Sequence, residues 1–406
     1  MSARVAVLKF GGTSLATPEQ RALARRRVSE AAEQGCSVVA VVSAMGRAPE
    51  PYATDSLLAL AGSGETRTRN IDLLLATGET IAAALFAQEL EAEGTTAVAL
   101  TGAQAGIVTD ERFGDATIRR VDPEPLRDIL DAGAVPVVAG FQGASERGAI
   151  VTLGRGGTDL SAVAIGHALG AERIDIYTDV SGIMTADPRR VAGARTIERA
   201  TLEEVTELAQ NGAKVMHDKA AEYARRTQTR YSIRGLATDR GTMVDESVDH
   251  HRPVTGVALS GRLTWIRVIR GDIENQTKRM ETELEMFRRI AEAGISIDQV
   301  TINQAGVAFV VGGECGGDVR RLLGDLNLAV RVREGCAKLS VVGNGMRVAP
   351  GVIFELVSAL AEANVEIIHC TDSNVTISVL VPAEDGERAE TAAHRRFALD
   401  VGDPVA

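Results

Sequence analysis

The sequence predicts an α/β fold: one large three-layer domain with a mainly parallel central sheet, then two small α+β modules. Three observations predict it. Near-continuous apolar runs alternate with helical patterns from residue 4 to about 245. A polar stretch ending in proline, "DESVDHHRP" (Asp245–Pro253), interrupts that pattern. Beyond it, "FRRIAEAGISIDQVTINQAGVAFVV" (Phe287–Val311) aligns without gaps on "VSALAEANVEIIHCTDSNVTISVLV" (Val357–Val381), so one helix–strand–strand unit occurs twice.

In chain order, the expected strands are Val5–Phe10, Ser37–Ser43, Thr96–Leu100, Val135–Ala139 and Ile174–Thr178. They are apolar almost throughout, as in strands buried on both faces of a parallel sheet. Between them, helical patterns cover Pro18–Gln34, Leu73–Glu93, Pro123–Ala132 and Asp159–Leu169. Strand–helix alternation implies right-handed crossovers, with ligands gathering at the carboxyl ends of the strands. The expected division is 1–245 for the large domain, 246–253 for a linker, and 254–335 and 336–406 for the two modules.

Composition narrows the function. The chain has 406 residues, more than one typical domain. Aromatic residues are 3% of it, so Ala, Val, Leu and Ile must fill the cores. The net charge of −11 disfavours a broad nucleic-acid groove or a basic membrane surface. Cys36, Cys315, Cys336 and Cys370 are widely spaced, and the histidines lack metal-ligand spacing. No metal site or disulfide framework is expected. The N-terminus lacks a secretory pattern, and no apolar run approaches the roughly 18 residues of a membrane span. A soluble cytoplasmic protein is expected.

Glycine-rich turns at strand ends carry the chemistry. The first, "KFGGTS", sets Lys9 before Gly11, Gly12, Thr13 and Ser14. In a P-loop the lysine follows the glycines, so this is a different device. Glycines let backbone N–H groups approach oxyanions, and the lysine adds a movable positive charge. Taken alone, the turn equally fits an ordinary strand–helix connection.

The second, "VTLGRGGTDLSA", places Arg155 among Gly154, Gly156 and Gly157, with Asp159 at a helix start. Arg155 can grip a carboxylate with two parallel hydrogen bonds, and Asp159 can hold an ammonium. Asp159 could instead be only a helix cap. The third, "IYTDVSGIMTADPRRV", ends a strand at Thr178-Asp179 and carries Asp187 and Arg189 in a loop able to cradle a nucleotide. "VVSAMGR" (Val41–Arg47) is another strand end. "ATGETI" puts Glu79 near a helix start, where a carboxylate commonly serves the helix dipole.

Taken together and in order, "KFGGTS", "VVSAMG", "YATDSLL", "GET", "TGAQAG", "VAGFQG", "GRGGTD" and "YTDVSGIMTADPR" resemble the aspartate kinases of the amino-acid kinase family. The C-terminal repeat resembles paired ACT domains, which bind small effectors, and "VVGNGMRVAPGV" (Val341–Val352) resembles the opening of the second. The stretch "SAMGRAPEPYATDSLL" is most similar to the single-polypeptide, diaminopimelate-associated enzymes of Gram-positive bacteria.

The resemblance implies ATP-dependent phosphorylation of the L-aspartate side chain, with ATP and Mg²⁺ as cofactors. It implies that Lys9 and Asp159 are catalytic and that Lys9, Gly11, Gly12, Thr13 and Ser14 meet the nucleotide phosphates. Thr178, Asp179, Asp187 and Arg189 match the nucleotide side. Ser43, Ala44, Thr54, Glu79, Phe141, Arg155, Gly156 and Asp159 match the aspartate site. Arg155 would take the α-carboxylate, while Glu79 and Asp159 would hold the ammonium.

An effector (diaminopimelate, lysine or threonine) would meet Ser296, Ile297 and Asp298. Asp298 could instead be a solvent-facing residue at a strand edge. A homo-oligomer through the ACT modules is implied as well. The sequence departs from the family at Met184, at His217-Asp218-Lys219, at Ser232-Ile233-Arg234-Gly235 and in Gly271–Met280, which lacks a "PG" turn. Two other readings stand beside this one: a kinase for a different amino acid, such as glutamate or acetylglutamate, and a non-catalytic amino-acid sensor.

Overall fold

The structure is a computed structural model that describes residues 4–62, 68–213, 216–246, 252–269, 276–324, 326 and 328–401. Its contacts divide the chain into two units. The first comprises Met1–Ile183, Thr196–Gln210 and Lys214–Asp249. The second comprises Met184–Arg195, Asn211–Ala213 and His250–Ala406.

The first unit begins β1 (Arg4–Phe10), α1 (Pro18–Glu33), β2 (Cys36–Val42), α2 (Thr54–Leu60), α3 (Arg69–Ala92) and β3 (Ala97–Leu100). Next come β4 (Ile107–Thr109), β5 (Ile118–Val121), α4 (Glu124–Asp131), β6 (Val135–Ala139), β7 (Gln142–Ser145) and β8 (Ile150–Thr152). It ends with α5 (Gly157–Leu169), β9 (Arg173–Thr178), β10 (Arg199–Thr201), α6 (Leu202–Gln210), α7 (Asp218–Thr227), β11 (Tyr231–Gly235) and β12 (Gly241–Asp245). An eight-stranded sheet runs β10-β12-β11-β9-β1-β2-β6-β3. It is parallel except at β11–β12. The five strands expected from the apolar runs are five of its eight.

Alternation along β1 sets the layers. Ala6, Leu8 and Phe10 join one core with Ala24, Val28 and Ala31 of α1 and Phe86 and Leu90 of α3. Val7 faces the other way: a Cβ placed on Gly166 of α5 would lie 3.7 Å from it and 2.3 Å from Ile174. Gly166 therefore lets α5 seat its backbone directly on the sheet. Lys9 shares Val7's parity, which sends it to the α5 side. Helix α1 starts where its sequence says: Pro18 stands in the first turn, and Thr17 and Gln20 form a reciprocal capping box.

Helix α3 corrects one expectation. It begins at Arg69, capped by the Thr68 hydroxyl, so Glu79 lies mid-helix and is buried, not at the helix start. By length and composition α3 could cross a membrane, but half of its most apolar stretch is buried within the protein. A second small sheet, β5-β4-β7-β8, escapes the sequence reading. Its strands are only three or four residues long, too short for a periodic pattern.

The second unit contains β13 (Gly256–Ile269), α8 (Gln276–Glu292), β14 (Asp298–Asn303), β15 (Gly306–Gly312) and α9 (Gly316–Leu322). It continues with β16 (Ala329–Val342), α10 (Val352–Glu362), β17 (His369–Asp372), β18 (Thr376–Pro382) and α11 (Gly386–Arg396). One antiparallel sheet orders them β14-β15-β13-β16-β18-β17. The repeat is visible as α8–β14–β15 and α10–β17–β18.

The two modules share strands. The end of β13 pairs with β15, while its Gly256–Ser260 stretch pairs with the end of β16, which continues to β18. The expected boundary at 335/336 thus falls inside β16, and the contacts do not cut the chain there. Nor is the large domain contiguous in its contacts: Ala186 and Val191 belong to the second module's core with Leu339, Leu356 and Ala393. Of the expected linker 246–253, residues 247–251 lie outside the described residues, as do 271–275 of the Gly271–Met280 turn.

Candidate active site

Lys9 stands one residue before the end of β1 and is 8% exposed. Its Nζ lies 2.6 Å from Asp159 Oδ1 in the first turn of α5. Asp159 is not the helix cap. Gly156 holds that position in left-handed conformation (φ 73°), with no side-chain cap bond. The Asp159 carboxylate is free to face Lys9.

The turn after Lys9 packs backbone on backbone. A Cβ on Gly12 would come within 2.6 Å of the Ala44 carbonyl, and the Gly46 N–H donates to the Gly12 carbonyl at 3.0 Å. Only glycine permits that approach. A Cβ on Gly11 would sit 3.5 Å from Lys9 Nζ and 3.7 Å from the Tyr177 carbonyl, beside the end of β9. The Ser14 hydroxyl is buried and has no hydrogen-bond partner among the described residues.

Glu79 Oε1 accepts from the Ala44 N–H at 3.2 Å. Burial raises its carboxyl from the usual range to about 8, against the pull of hydrogen bonds from the Ala44 backbone and Thr54. Its second oxygen has no hydrogen-bond partner among the described residues. At neutral pH such a carboxyl is largely protonated; once ionised, its open oxygen suits an incoming cation.

Gly154 and Gly156 both have positive φ, at 77° and 73°. A Cβ on Gly156 would lie 2.1 Å from the His217 ring, so the loop requires glycine for space as well as for backbone angle. Arg155 between them is exposed and makes no ion pair among the described residues. Phe141, at φ 65°, donates its N–H to Ser161 Oγ at 3.1 Å and accepts from the Leu153 N–H at 2.8 Å, tying the "FQG" turn to this loop. Lys9, Ser43, Thr54, Glu79, Phe141, Arg155, Gly156 and Asp159 all line one cavity of about 310 Å³, and Ala44 reaches it through Glu79.

On the expected nucleotide side, the Thr178 hydroxyl donates to Asp179 Oδ1 at 3.1 Å, and Asp179 pairs with Arg47 at 3.4 Å. Asp187 and Arg189 belong to the second unit's segment. Arg189 binds Asp187 with both arms at 2.9 and 2.6 Å, which holds that carboxyl down at about 2.

Sequence reasoning missed several residues. Asp72, fully buried, accepts from the N–H groups of Gly114 (2.9 Å) and Thr152 (2.7 Å), both in the cavity wall. It precedes Glu79 by seven residues, so two turns of one helix face could have signalled it. Lys219 forms an ion pair with Asp115 and reaches the Leu153 carbonyl at 3.4 Å. The departure at His217-Asp218-Lys219 therefore supports the Arg155 loop. Arg234 pairs with buried Asp175 at 3.3 Å and donates to Ser232 at 2.9 Å, which accounts for the other departure.

The expected effector strand also differs. Gly294 closes α8 at φ 69°, so the strand expected from Gly294 starts only at Asp298, and Ser296 and Ile297 precede it. Asp298 opens the edge strand β14 with its side chain exposed, as the solvent-facing reading expects, and is also ion-paired with Lys338 of β16. Among the described residues, no three His, Cys, Asp or Glu cluster as a metal site.

The amino acid kinase family matches residues 4–235, and the ACT domain matches residues 331–395. The chain is 40% identical over 409 residues to aspartokinase 1 of Bacillus subtilis, covering 98% of this chain and 99% of that one. It is 39% identical to the Geobacillus stearothermophilus aspartokinase, covering 97% of each. The solved structure of E. coli aspartokinase III with aspartate and ADP aligns over 97% of this chain and 99% of that one, with a TM-score of 0.77 and 26% identity. The same enzyme with lysine and aspartate aligns with a TM-score of 0.73. The chain belongs to the aspartokinases of the amino acid kinase family, kinases that act on aspartate, and carries their C-terminal ACT domains.

Proposed function

We propose that the chain transfers the γ-phosphoryl group of ATP to the side-chain carboxylate of L-aspartate in the Lys9–Asp159 cavity. The observation that carries this reading is the Lys9–Asp159 contact at 2.6 Å, in a cavity that also presents Glu79 and Arg155. One cavity thus offers a cation for phosphoryl oxygens, a guanidinium for an α-carboxylate, and two carboxyls for an ammonium. The relative crystallised with aspartate and ADP supports the same substrate pair.

The acceptor needs no base. An aspartate side chain has a pKa near 3.9 and is already ionised at neutral pH. The barrier is the approach of one anion to another, so the protein contributes placement and positive charge. Lys9 meets the transferring group, and the backbone N–H groups around Gly11–Ser14 line the phosphates. Thr178, Asp179, Asp187 and Arg189 face the nucleotide. Arg155 fixes the α-carboxylate, while Glu79 and Asp159 receive the ammonium.

With no metal cage among the described residues, Mg²⁺ is proposed to enter on the phosphate oxygens, keeping several of its waters. There it would screen phosphate charge.

The reading extends to feedback control by diaminopimelate, lysine or threonine at Asp298, to a homo-oligomer through the ACT modules, and to the cytoplasm. The relative crystallised with lysine supports an amino-acid effector. ADP release measured with L-aspartate, L-glutamate and N-acetylglutamate tests the core claim. Release with L-aspartate alone is expected. Release with another acceptor would make this a different amino-acid kinase, and none with any of them would favour a sensor.

A further inference from the structure

We infer that Glu390, on α11 of the second ACT module, is a positioning residue for the nucleotide-side loop, which it holds through Arg190. The inference rests on the proposed role of Asp187 and Arg189 at the nucleotide.

The loop is built into the regulatory unit. Met184–Arg195 makes its contacts with that unit, and Ala186 (3% exposed) and Val191 (4%) lie in its core. Apolar burial anchors the segment but does not aim its polar tip. Aim comes from charge. Glu390 is fully buried, and a buried carboxylate requires partners. Arg190 supplies them with both arms, Nε to Oε2 at 2.5 Å and Nη2 to Oε1 at 3.0 Å. The remaining nitrogen, Nη1, lies 3.1 Å from Asp187 Oδ2. One planar guanidinium therefore links the α11 carboxylate to the loop carboxylate in a fixed geometry.

Other ties run from the same segment to the same end of the chain. The Thr185 hydroxyl lies 2.9 Å from His394 Nε2, and both residues are buried. The Arg195 guanidinium donates to the Leu399 carbonyl at 3.1 Å and the Val401 carbonyl at 2.7 Å. The Thr185 N–H donates to the Arg195 carbonyl at 2.8 Å, closing the segment's base. A segment held this firmly has its tip oriented by α11.

The test is steady-state kinetics on the full-length enzyme with ATP and aspartate varied separately, alongside melting temperature. Three variants are needed: Asp187→Ala, Glu390→Gln, and Arg190→Leu combined with Glu390→Met. The double variant guards against misfolding, because apolar replacement of a buried ion pair is often neutral for stability. In Glu390→Gln and the double variant, the KM for ATP should rise about tenfold or more, as for small misplacements of a binding group. The KM for aspartate should stay at the wild-type value. A merely structural role would lower the melting temperature or move both KM values together, and would overturn the inference. So would a wild-type KM for ATP in both variants while Asp187→Ala raises it, an outcome that leaves the nucleotide reading standing. If Asp187→Ala itself leaves the KM for ATP unchanged, the nucleotide reading fails and the inference fails with it.

Discussion

Lys9 Nζ and Asp159 Oδ1 lie 2.6 Å apart with 10% and 14% of their side chains exposed, one on β1 and the other in the first turn of α5. The contact is an ion pair without hydrogen-bond geometry, since Asp159 Oδ1 has no well-formed hydrogen bond. Asp159 thus balances Lys9 without locking it, leaving the ammonium able to turn toward phosphate. Asp159→Asn keeps the shape and removes the balancing charge. The expected result is a folded protein whose kcat falls by about 10² to 10³, read by ADP release with circular dichroism as the fold control.

Glu79 gives the site a pH signature. Its carboxyl is raised to about 8, chiefly by burial. Below that pH the group is protonated and neutral, and cannot attract an ammonium. Above it the carboxylate is ionised. The KM for aspartate should therefore fall as pH rises from about 6 through 8 and then level off. Glu79→Gln should flatten that dependence at the high-KM end. An unchanged slope in Glu79→Gln would show that another group titrates. The same shift bears on stability: the folded pKa exceeds the unfolded one, so the folded state holds the extra proton. Glu79 should thus cost stability progressively between its usual value of 4.5 and about 8.

The Arg155 loop should tolerate no side chain at Gly156. Alanine there incurs the left-handed backbone cost and also meets the His217 ring at 2.1 Å. Gly148 has φ 77° with nothing within 4 Å, so alanine at that position carries the backbone cost alone. Gly148→Ala should lose about 1–2 kcal/mol. Gly156→Ala should lose about 1–3 kcal/mol more from overpacking, with a raised KM for aspartate. Equal losses in urea titration would mean that His217 yields freely.

The proposed effector site contains the Asp298–Lys338 ion pair, in which Lys338 is largely buried. On that proposal, an effector ammonium would compete with the Lys338 ammonium for the same carboxylate. Lys338→Met should strengthen inhibition by whichever of diaminopimelate, lysine or threonine acts on wild type. Asp298→Ala should weaken it, within the roughly 1–3 kcal/mol typical of allosteric coupling. Inhibition curves that match wild type in both variants would remove Asp298 from the effector site.

Much of this was readable in the chain. The strands carrying Lys9 and Thr178, and the strand ending just before Ser43, are apolar runs followed by or ending in glycine or hydroxyl residues, and each ends within a residue of its expected end. The glycines around Arg155 stand where positive φ and close approach demand them. What was hidden depends on contacts between distant residues. Asp72 meets Gly114 and Thr152 across 42 and 80 positions, partners that its helical spacing from Glu79 does not reveal. Glu79 was placed near a helix start because the Thr68 cap, five residues before Leu73, carries no capping-box partner. The shared strands β13 and β16 escaped because a repeat in sequence suggests two separate modules, whereas each fourteen-residue strand serves both.

The most direct test of the central claim is aspartate-dependent ADP release from wild-type and Lys9→Ala proteins, with folding checked by circular dichroism. Lys9 contacts Asp159 inside the cavity, so the expected result is robust wild-type turnover and a loss of about 10² to 10³ or more in a folded Lys9→Ala protein. Near-wild-type ADP release from folded Lys9→Ala would contradict the assignment of phosphoryl transfer to this site.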